Sequence, residues 1–285
     1  MEKSIAAPMV LTPAVERLID MALEEDVGPG DITTDHTVLR EASGRAMIVA
    51  KEDLTIAGLT VVRSVFERLD PGLAFEAQFN DGDAVARGAV VVRLSGGLAA
   101  LLTGERTALN FLQRLSGIAT YVRACVECLA GSSTRLLDTR KTTPGWRYLE
   151  KYAVRAGGGT NHRMGLYDAV LIKDNHIAAA GGIAAAVERI RAHIDPAMTI
   201  EVETTSQEEV QQALQAGAHI IMLDNMDLEQ IRQAVRFVDG RAKLEISGGV
   251  TQEHLSALAA TGVDYISSGA LTHSARAVDL SMKIG

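Results

Sequence analysis

Residues 199–249 read TIEVETTSQEEVQQALQAGAHIIMLDNMDLEQIRQAVRFVDGRAKLEISGG, and this segment restricts the fold more than any other. It contains three β-prone apolar runs, at residues 199–202, 220–223 and 243–246. Polar residues follow each run, and a helical pattern separates one run from the next. Strand, helix and strand in alternation indicate βαβ units and a parallel sheet.

The intervening helices carry their own start signals. Ser206 with Glu209 forms a capping-box pattern, and Asp227 and Thr251 are favourable N-cap residues. Earlier and later apolar runs, at residues 136–137, 169–172 and 264–266, extend the same rhythm to six strands. We therefore predict an α/β protein whose C-terminal part is a TIM-like barrel, complete or incomplete, with an open doubly wound sheet as the alternative.

Polar residues stand where the predicted strands end. In both candidate folds, ligands bind at the carboxyl ends of parallel strands. The residues at these positions include Lys173, Glu203, Asp224, Ser247 and Ser268. We expect a ligand site at this edge of the sheet.

The first part of the chain has a different organisation. A helical pattern is followed by short β-prone runs at residues 45–50, 73–79 and 89–94, which predict a separate α+β domain. The domain boundaries we predict are residues 1–115 for this domain and 116–275 for the barrel. Residues 276–285 alternate in polarity and are predicted to return to the first domain as a strand.

Composition limits the class of protein. The chain has 285 residues with 36 Asp and Glu against 28 Lys and Arg, a formal net charge of -8, which argues against binding to nucleic acid or to an anionic membrane surface. No apolar run reaches the roughly 20 residues that span a bilayer, and no secretory signal pattern is found. We expect a cytoplasmic protein. Cys125 and Cys128 share an apolar helical face and are interpreted as structural.

Cations concentrate in residues 138–176, where seven Lys and Arg residues face four Asp and Glu residues. Such a focus on an acidic chain indicates a site for a small polyanion. Arg forks onto carboxylates and phosphates, whereas Lys acts as a point charge. The candidate residues are Arg140, Lys141, His162, Arg163 and Lys173.

Other charged residues are interpreted as structural. Arg147, Lys151 and Arg155 have helical spacing and predict a solvated helix face. Glu201 lies further from the end of its strand than Glu203 does, so no ligand-binding role is assigned to Glu201. Glu245 lies inside a strand and is interpreted as a buried partner of a cation.

Several motifs together resemble the quinolinate phosphoribosyltransferase family. They are GPGDITT at residues 28–34, GERTALN at 104–110, LSGIAT at 115–120, DTRKTTPG at 138–145, GGGTNHR at 157–163 and KDNH at 173–176. The resemblance implies an N-terminal α/β sandwich domain, an incomplete α/β barrel, and a homodimer or higher homo-oligomer with shared active sites. It also implies a reaction in which quinolinate and phosphoribosyl pyrophosphate give nicotinate mononucleotide, pyrophosphate and carbon dioxide.

The resemblance assigns roles to the candidate residues. Arg140, His162, Arg163 and Lys173 are expected to bind the two carboxylates of quinolinate, joined by Arg106 from the neighbouring subunit. Glu203 and Asp224 are expected to bind the ribose, and Lys141 and Lys173 to assist departure of pyrophosphate. The terminal phosphate is expected at Ser247, Gly248, Gly249, Ser268 and Gly269. Mg²⁺ is expected with phosphoribosyl pyrophosphate, held mainly by the substrate, and no organic cofactor is expected.

Three other functions fit parts of the pattern. Lys173 at a strand end is suited to a Schiff-base lyase. A related phosphoribosyltransferase-like protein could act on another substrate, such as nicotinate. A catalytically silent sensor could bind phosphoribosyl pyrophosphate without turnover.

Overall fold

The computed structural model describes residues 8–285. Its helices and strands, in chain order, are α1 Pro13–Val27, α2 Ile32–Thr37, β1 Ser43–Ala50, β2 Leu54–Thr55, α3 Leu59–Leu69, β3 Ala74–Ala77, β4 Ala84–Val85, β5 Val90–Gly97, α4 Leu98–Glu127, β6 Arg135–Leu137, α5 Arg147–Ala156, β7 Val170–Ile172, α6 Asp174–Ala180, α7 Ile183–Arg191, β8 Ile200–Thr204, α8 Gln207–Gln215, β9 Ile220–Asp224, α9 Leu228–Val238, β10 Lys243–Ser247, α10 Leu255–Ala259, β11 Tyr265–Ser267, α11 Ala270–His273 and β12 Leu280–Ile284. A 3₁₀ turn, Gln252–His254, precedes α10.

The chain divides into two compact units. The first contains residues 8–123, Thr142–Gly158 and Leu271–Gly285, and the second contains Ala124–Lys141 and Gly159–Ala270. The first unit holds a four-stranded sheet in the order β12-β1-β5-β3 and the pair β2-β4, and the second holds a six-stranded sheet in the order β6-β11-β10-β9-β8-β7. The predicted α/β class, with an N-terminal sheet domain and a separate parallel-sheet domain, is confirmed.

The first unit is built from antiparallel pairs. Strand β12 pairs with β1 at the edge of the sheet, with Leu280 opposite Ala50. The GPGDITT motif lies at the start of α2, where Asp31 accepts a hydrogen bond from the Thr34 N–H at 3.0 Å. The second carboxylate oxygen of Asp31 accepts from the hydroxyl of Thr103 on α4 at 3.1 Å. This motif therefore caps one helix and ties it to another.

Helix α5 corrects one prediction. Lys151 is fully buried, at 0% exposure, so a solvated face through this residue is wrong. The neighbouring Glu150 forms an ion pair with Arg114 at 2.8 Å, and the Tyr152 hydroxyl donates to Asp81 at 2.7 Å. The helical spacing of charged residues cannot distinguish a solvated helix face from one that packs against the rest of its unit. The spacing gives no information on which residues of other segments contact the helix.

The second unit follows the predicted rhythm. All six predicted strands are present in a parallel sheet, as β6 to β11. The side chain of Ser206 accepts from the Glu209 N–H at 3.2 Å, and Asp227 accepts from the Gln230 N–H at 2.8 Å. Thr251 takes the N-cap position of the 3₁₀ turn without a side-chain hydrogen bond to its backbone.

Register fixes which residues face the same side of this sheet. Glu203 pairs with Met222, and Met222 pairs with Glu245. Asp224, two residues beyond Met222, pairs with Ser247. Because alternate residues of a strand share a face, these acidic residues and Ser247 lie on one face of the sheet.

Two further features concern the remainder of the chain. Cys125 is buried, and the thiol of Cys128 donates to the carbonyl of Ala124 at 3.3 Å. Among residues 8–285, every helix is too short or too polar to cross a bilayer.

Candidate active site

The strand ends of β7 and β8 hold opposite charges in contact. Lys173 directly follows β7, and its Nζ contacts the carboxylate of Glu203 on β8. The Lys173 side chain is 42% exposed and that of Glu203 is 14% exposed. The Lys173 N–H also donates to Nδ1 of His176 at 3.0 Å, which fixes the start of α6. The two side chains therefore lie at the sheet edge where a ligand was predicted.

A buried aspartate shapes the segment after the glycine run. Thr160 forms a parallel bridge with Leu137 of β6, which places the following residues beside the end of that strand. Asp138 is fully buried and accepts hydrogen bonds from Asn161 Nδ2 at 2.5 Å and from the His162 N–H at 2.8 Å. Hydrogen bonds to a buried carboxylate are among the stronger ones. Asp138 therefore fixes the backbone that carries the predicted ligand residues His162 and Arg163.

The His162 ring lies against two buried glutamates. Its Nε2 is 2.9 Å from Oε2 of Glu201 on β8 and 3.7 Å from Oε2 of Glu245 on β10. The Glu201 and Glu245 side chains are 4% and 0% exposed, and the His162 side chain is 12% exposed. We call these three residues the buried triad.

The buried triad also shows that the second sheet is strongly curved. In a flat sheet, β6 and β8 would be four strand spacings apart, about 19 Å. His162 lies just beyond the residue that bridges to β6, yet its ring reaches Glu201 on β8. A residue with this reach must lie inside a curved sheet, as a barrel-like arrangement requires.

The hydrogen bonds of His162 define its tautomer. The Arg163 N–H donates to Nδ1 at 2.7 Å, so Nδ1 carries no proton and the proton of the neutral ring is on Nε2, facing Glu201. For His162 to donate to a substrate carboxylate, as predicted, one of these contacts must be exchanged.

The same triad has the composition of a metal site. The possible ligand atoms of His162, Glu201 and Glu245 lie within 4.8 Å of one another, and nitrogen with two carboxylates suits a transition metal. A metal-bound histidine normally donates a hydrogen bond from its other ring nitrogen. Here the other nitrogen accepts one from Arg163. The hydrogen bonding therefore fits a proton at Nε2 better than a metal.

The surroundings of Glu245 favour its protonated form. Burial, and then the negative charge of Glu201, raise the pKa of Glu245 to about 8, with His162 acting in the opposite direction. Two buried carboxylates this close do not both ionise readily at neutral pH. We therefore assign the neutral form to Glu245 near pH 7.

The positive charges of Arg140 and Arg163 interact with each other, and Arg163 also interacts with Glu201 of the triad. Arg163 donates from Nη1 to the carbonyl of Ala169 at 3.1 Å. Desolvation, and then the positive charge of Arg140, lower the pKa of Arg163, while Glu201 and Asp168 act in the opposite direction. Like charges held near one another favour an anionic ligand between them.

The ends of β9 and β10 form a second group. Asp224 ends β9, and Asn225 Nδ2 donates to its Oδ2 at 2.8 Å. The Asn225 N–H donates to the carbonyl of Ser247, at the end of β10, at 3.0 Å. Gly248 and Gly249 follow with φ of 93° and 58°, a left-handed backbone that favours glycine.

The end of β11 closes the list of predicted strand-end residues. Ser268 is 8% exposed, its N–H donates to the carbonyl of Leu137 at 3.0 Å, and its hydroxyl donates to the carbonyl of Val250 at 3.3 Å. Gly269 follows directly. Ser268 is thus held between β6 and the segment that follows the β10 glycines.

Lys141 and Arg106 complete the set of predicted site residues. Lys141 is exposed, and its N–H donates to Oγ1 of Thr139 at 3.0 Å. Arg106 is exposed on α4 in the first unit. The second unit therefore brings together the other strand-end and loop residues but does not contain Arg106.

Sequence reasoning assigned no site role to four residues that shape this region: Asp138, Glu201, Asn225 and Glu245. The sequence did indicate that Asp138 and Glu245 have partners, since a carboxylate within or directly after an apolar strand is buried and must be hydrogen-bonded or paired. The sequence did not indicate which residues those partners are.

Known proteins resemble the chain along nearly its whole length. The model of the quinolinate phosphoribosyl transferase N-terminal domain matches residues 31–116, and that of the C-terminal domain matches residues 118–283. A probable nicotinate-nucleotide pyrophosphorylase (carboxylating) of Bacillus subtilis is 46% identical over 270 residues, 95% of this chain and 93% of that protein. A protein of the same description from Synechocystis is 46% identical over 284 residues, 98% of this chain and 96% of that protein.

A solved structure agrees with these sequence matches. The crystal structure of NadC from Streptococcus pyogenes has a TM-score of 0.94 and 44% identity, covering 98% of this chain and 99% of that one. Since both domain models match in order and the relatives match throughout, the chain belongs to the quinolinate phosphoribosyl transferase family.

Proposed function

We propose that this protein transfers the phosphoribosyl group of phosphoribosyl pyrophosphate to quinolinate and releases carbon dioxide, forming nicotinate mononucleotide and pyrophosphate. Family membership supports the reaction class, and the relatives named above carry the corresponding description. The residues of the second unit account for the chemistry of each step.

The proximity of Arg140 and Arg163 is the observation that carries the proposal. Quinolinate is a pyridine with adjacent carboxylates, so it offers two negative charges to this pair of cations. Each charge-assisted hydrogen bond contributes about 1.5–3 kcal/mol. Binding both carboxylates fixes the direction of the ring nitrogen, which must face C1 of the ribose.

Glu203 and Asp224 are suited to the sugar. Transfer of a glycosyl group passes through a state with positive charge on the ribose ring. Carboxylates fixed near that ring stabilise the charge and accept hydrogen bonds from the hydroxyls. Glu203 and Asp224 belong to neighbouring strands, β8 and β9, and lie on one face of the sheet, which suits two contacts to one sugar.

Lys141 and Lys173 are suited to the leaving group, which departs as pyrophosphate. Mg²⁺ bound with phosphoribosyl pyrophosphate would be held mainly by the substrate and would help to neutralise the charge of the pyrophosphate. The carboxylates of Glu203 and Asp224 offer hard oxygens to which such metal-bound water can donate, so these residues fit the ion. The turn at Ser247, Gly248 and Gly249, and the segment at Ser268 and Gly269, are suited to the other phosphate. For Ser268 to donate to that phosphate, one of its bonds to the carbonyls of Leu137 and Val250 must be exchanged.

The bond changes require no organic cofactor. The lone pair of the pyridine nitrogen forms the bond to C1 of the ribose as the bond from C1 to the pyrophosphate oxygen breaks. The ring then carries a positive charge, so it accepts the electron pair that remains at C2 when carbon dioxide leaves. A proton from water completes C2. The protein must orient the ring, and the residues that bind the two carboxylates do this.

The Schiff-base alternative is less well supported. A lysine that forms a Schiff base must direct its amine at the carbonyl of the substrate. The Nζ of Lys173 instead contacts the carboxylate of Glu203. That alternative also leaves Arg140 and Arg163 without a role.

Substrate comparison tests the proposal. Purified protein with Mg²⁺ and phosphoribosyl pyrophosphate is supplied with quinolinate or with nicotinate, and product nucleotide is measured by chromatography. We expect turnover of quinolinate. Consumption of nicotinate alone would favour the related transferase, and tight binding of phosphoribosyl pyrophosphate without any product would favour the sensor.

We further propose a homodimer or higher homo-oligomer in which Arg106 of one subunit serves the site of another. Its exposure on α4 in the first unit leaves it accessible for such a contact. Subunits with Arg106→Ala are mixed with subunits carrying Lys173→Ala, after exchange is verified by mass spectrometry. Partial recovery of turnover supports the shared site, and no recovery in verified hetero-oligomers contradicts it.

A further inference from the structure

Asn225 has an unusual backbone conformation at a strand end that carries a predicted site residue. Its φ is 54°, and among residues 8–285 the non-glycine residues with positive φ are Asn225 and Asp239. The left-handed conformation costs free energy for any residue with a Cβ. Glycine would remove this cost, so the asparagine side chain must contribute something at this position.

The first contribution is a hydrogen bond to Asp224. Asn225 Nδ2 donates to Oδ2 of Asp224 at 2.8 Å. This bond engages one oxygen of the carboxylate, Oδ2. It also limits rotation of the Asp224 side chain.

The second contribution is contact with the glycine turn after β10. The Asn225 N–H donates to the Ser247 carbonyl at 3.0 Å, and a Cβ added to Gly248 would lie 2.3 Å from Oδ1 of Asn225. Gly248 is therefore required both by its own φ of 93° and by the asparagine side chain beside it. One side chain thus touches both Asp224 and this turn.

A role as an ordinary turn or capping residue does not explain these contacts. Helix α9 begins three residues later, at Leu228, and has its own cap, because Asp227 accepts from the N–H groups of Glu229 and Gln230. The Asn225 amide instead points to the preceding residue, Asp224.

We propose that Asn225 is a positioning residue that sets the Asp224 carboxylate and the Gly248 turn relative to each other, so that phosphoribosyl pyrophosphate meets both in one arrangement. This inference rests on the proposed function, in which Asp224 binds the ribose and the turn binds a phosphate. It predicts an effect on the sugar phosphate that quinolinate does not share, because the Asn225 contacts involve neither Arg140 nor Arg163.

The substitution Asn225→Gly tests the proposal, because it keeps the left-handed backbone and removes the amide. We expect the KM for phosphoribosyl pyrophosphate to rise about ten-fold, the loss that one hydrogen bond to a charged group produces. We expect the quinolinate dissociation constant, measured by calorimetry, to remain within about two-fold. Asn225→Asp keeps the shape but replaces the donor by a negative charge beside Asp224, so we expect a larger loss.

Asp239→Gly is the matched control. Asp239 has φ of 44° at the end of α9, so glycine there makes the same change of backbone preference away from the strand ends. We expect both glycine variants to have a Tm at or above the wild-type value, with activity unchanged in Asp239→Gly. Wild-type KM and kcat in a folded Asn225→Gly variant would overturn the proposal, as would an equal loss toward both substrates.

Failure of the proposed function gives a different result. Calorimetry with phosphoribosyl pyrophosphate and Mg²⁺ measures the Asn225 effect even when quinolinate is not turned over. Weaker binding by Asn225→Gly without wild-type turnover would refute the function and retain the positioning role. Absence of wild-type binding would overturn both.

Discussion

Nε2 of His162 lies 2.9 Å from Oε2 of Glu201, while Nδ1 of the same ring accepts a hydrogen bond from the Arg163 N–H at 2.7 Å. The ring is thus held on both sides by groups of its own unit. His162 thus connects the buried Glu201 to the backbone of Arg163. His162 is therefore placed to orient Arg163 as well as to meet a ligand.

This geometry predicts the tautomer of His162. In protein labelled with nitrogen-15 histidine, we expect a protonated Nε2 and an unprotonated Nδ1 near neutral pH, with the signal assigned by its loss in His162→Gln. Added Zn²⁺ should leave the signal in place. A histidine that binds a metal through Nε2 normally donates a hydrogen bond from Nδ1, and Nδ1 of His162 has no proton to donate. A protonated Nδ1 would contradict the assigned tautomer, and a shift at stoichiometric Zn²⁺ would show that the triad binds a metal.

Glu245 predicts a pH dependence of stability. Its pKa is raised from 4.5 to about 8 in the folded protein, so between these values the folded chain keeps a proton that the unfolded chain releases. The free energy of unfolding must therefore fall as the pH rises through this window, by about 1.4 kcal/mol per unit from this group. This contribution is fully present below pH 4.5 and is lost once the pH exceeds about 8.

Glu245→Gln should remove that contribution. Its stability relative to the wild type is expected to increase from pH 5 to pH 8, measured by urea unfolding at several pH values. Glu208→Gln, on the exposed surface of α8, controls for the loss of a negative charge. A constant difference between Glu245→Gln and the wild type across the window would mean that the buried carboxyl is ionised throughout.

Lys173 and Glu203 should be energetically coupled. Lys173→Met keeps the length of the side chain but leaves Glu203 without its cation, and we expect kcat to fall by about 100-fold or more. Because the two side chains touch, the double variant with Glu203→Gln should lose less than the sum of the single losses. Additive losses would mean that the pair does not act as a unit. Trapping of a carbonyl substrate on Lys173 by borohydride would instead support the lyase.

Arg163 should determine affinity for quinolinate. Arg163→Ala removes one of the two neighbouring guanidinium groups, and we expect binding to weaken by about 1.5–3 kcal/mol in calorimetry. Arg163→Lys should lie between this variant and the wild type, because lysine keeps the charge and loses the fork. Arg236→Ala, which breaks an exposed ion pair on α9, is the control. Equal affinity in Arg163→Ala and the control would remove Arg163 from the site.

The positions of the strands in the second unit could be predicted from the sequence. The spacing of apolar residues and the polar residues that follow each strand are local properties of the chain. Glu203 and Asp224 could be chosen as strand-end residues for the same reason. The alternation of side chains along β8 also placed Glu201 and Glu203 on one face of the sheet. Alternation does not indicate how deeply each side chain is buried. The structure places Glu201 in the buried interior and Glu203 at the edge.

The remaining features depend on contacts between distant segments. The approach of His162 to Glu245 requires curvature of the sheet, which no local pattern contains. Burial of Lys151 requires the packing of α5 within the first unit. The left-handed conformation of Asn225 occurs where β9 ends beside β10. An asparagine after a strand is otherwise an ordinary turn residue.

The central claim is that cations at one end of a parallel sheet bind a pyridine dicarboxylate beside an activated sugar. The most direct measurement uses quinolinate radiolabelled in its 2-carboxyl group, with phosphoribosyl pyrophosphate and Mg²⁺. We predict release of labelled carbon dioxide in equal amount to nicotinate mononucleotide and pyrophosphate. Nucleotide formation without labelled carbon dioxide, or no reaction of quinolinate at all, would contradict the claim.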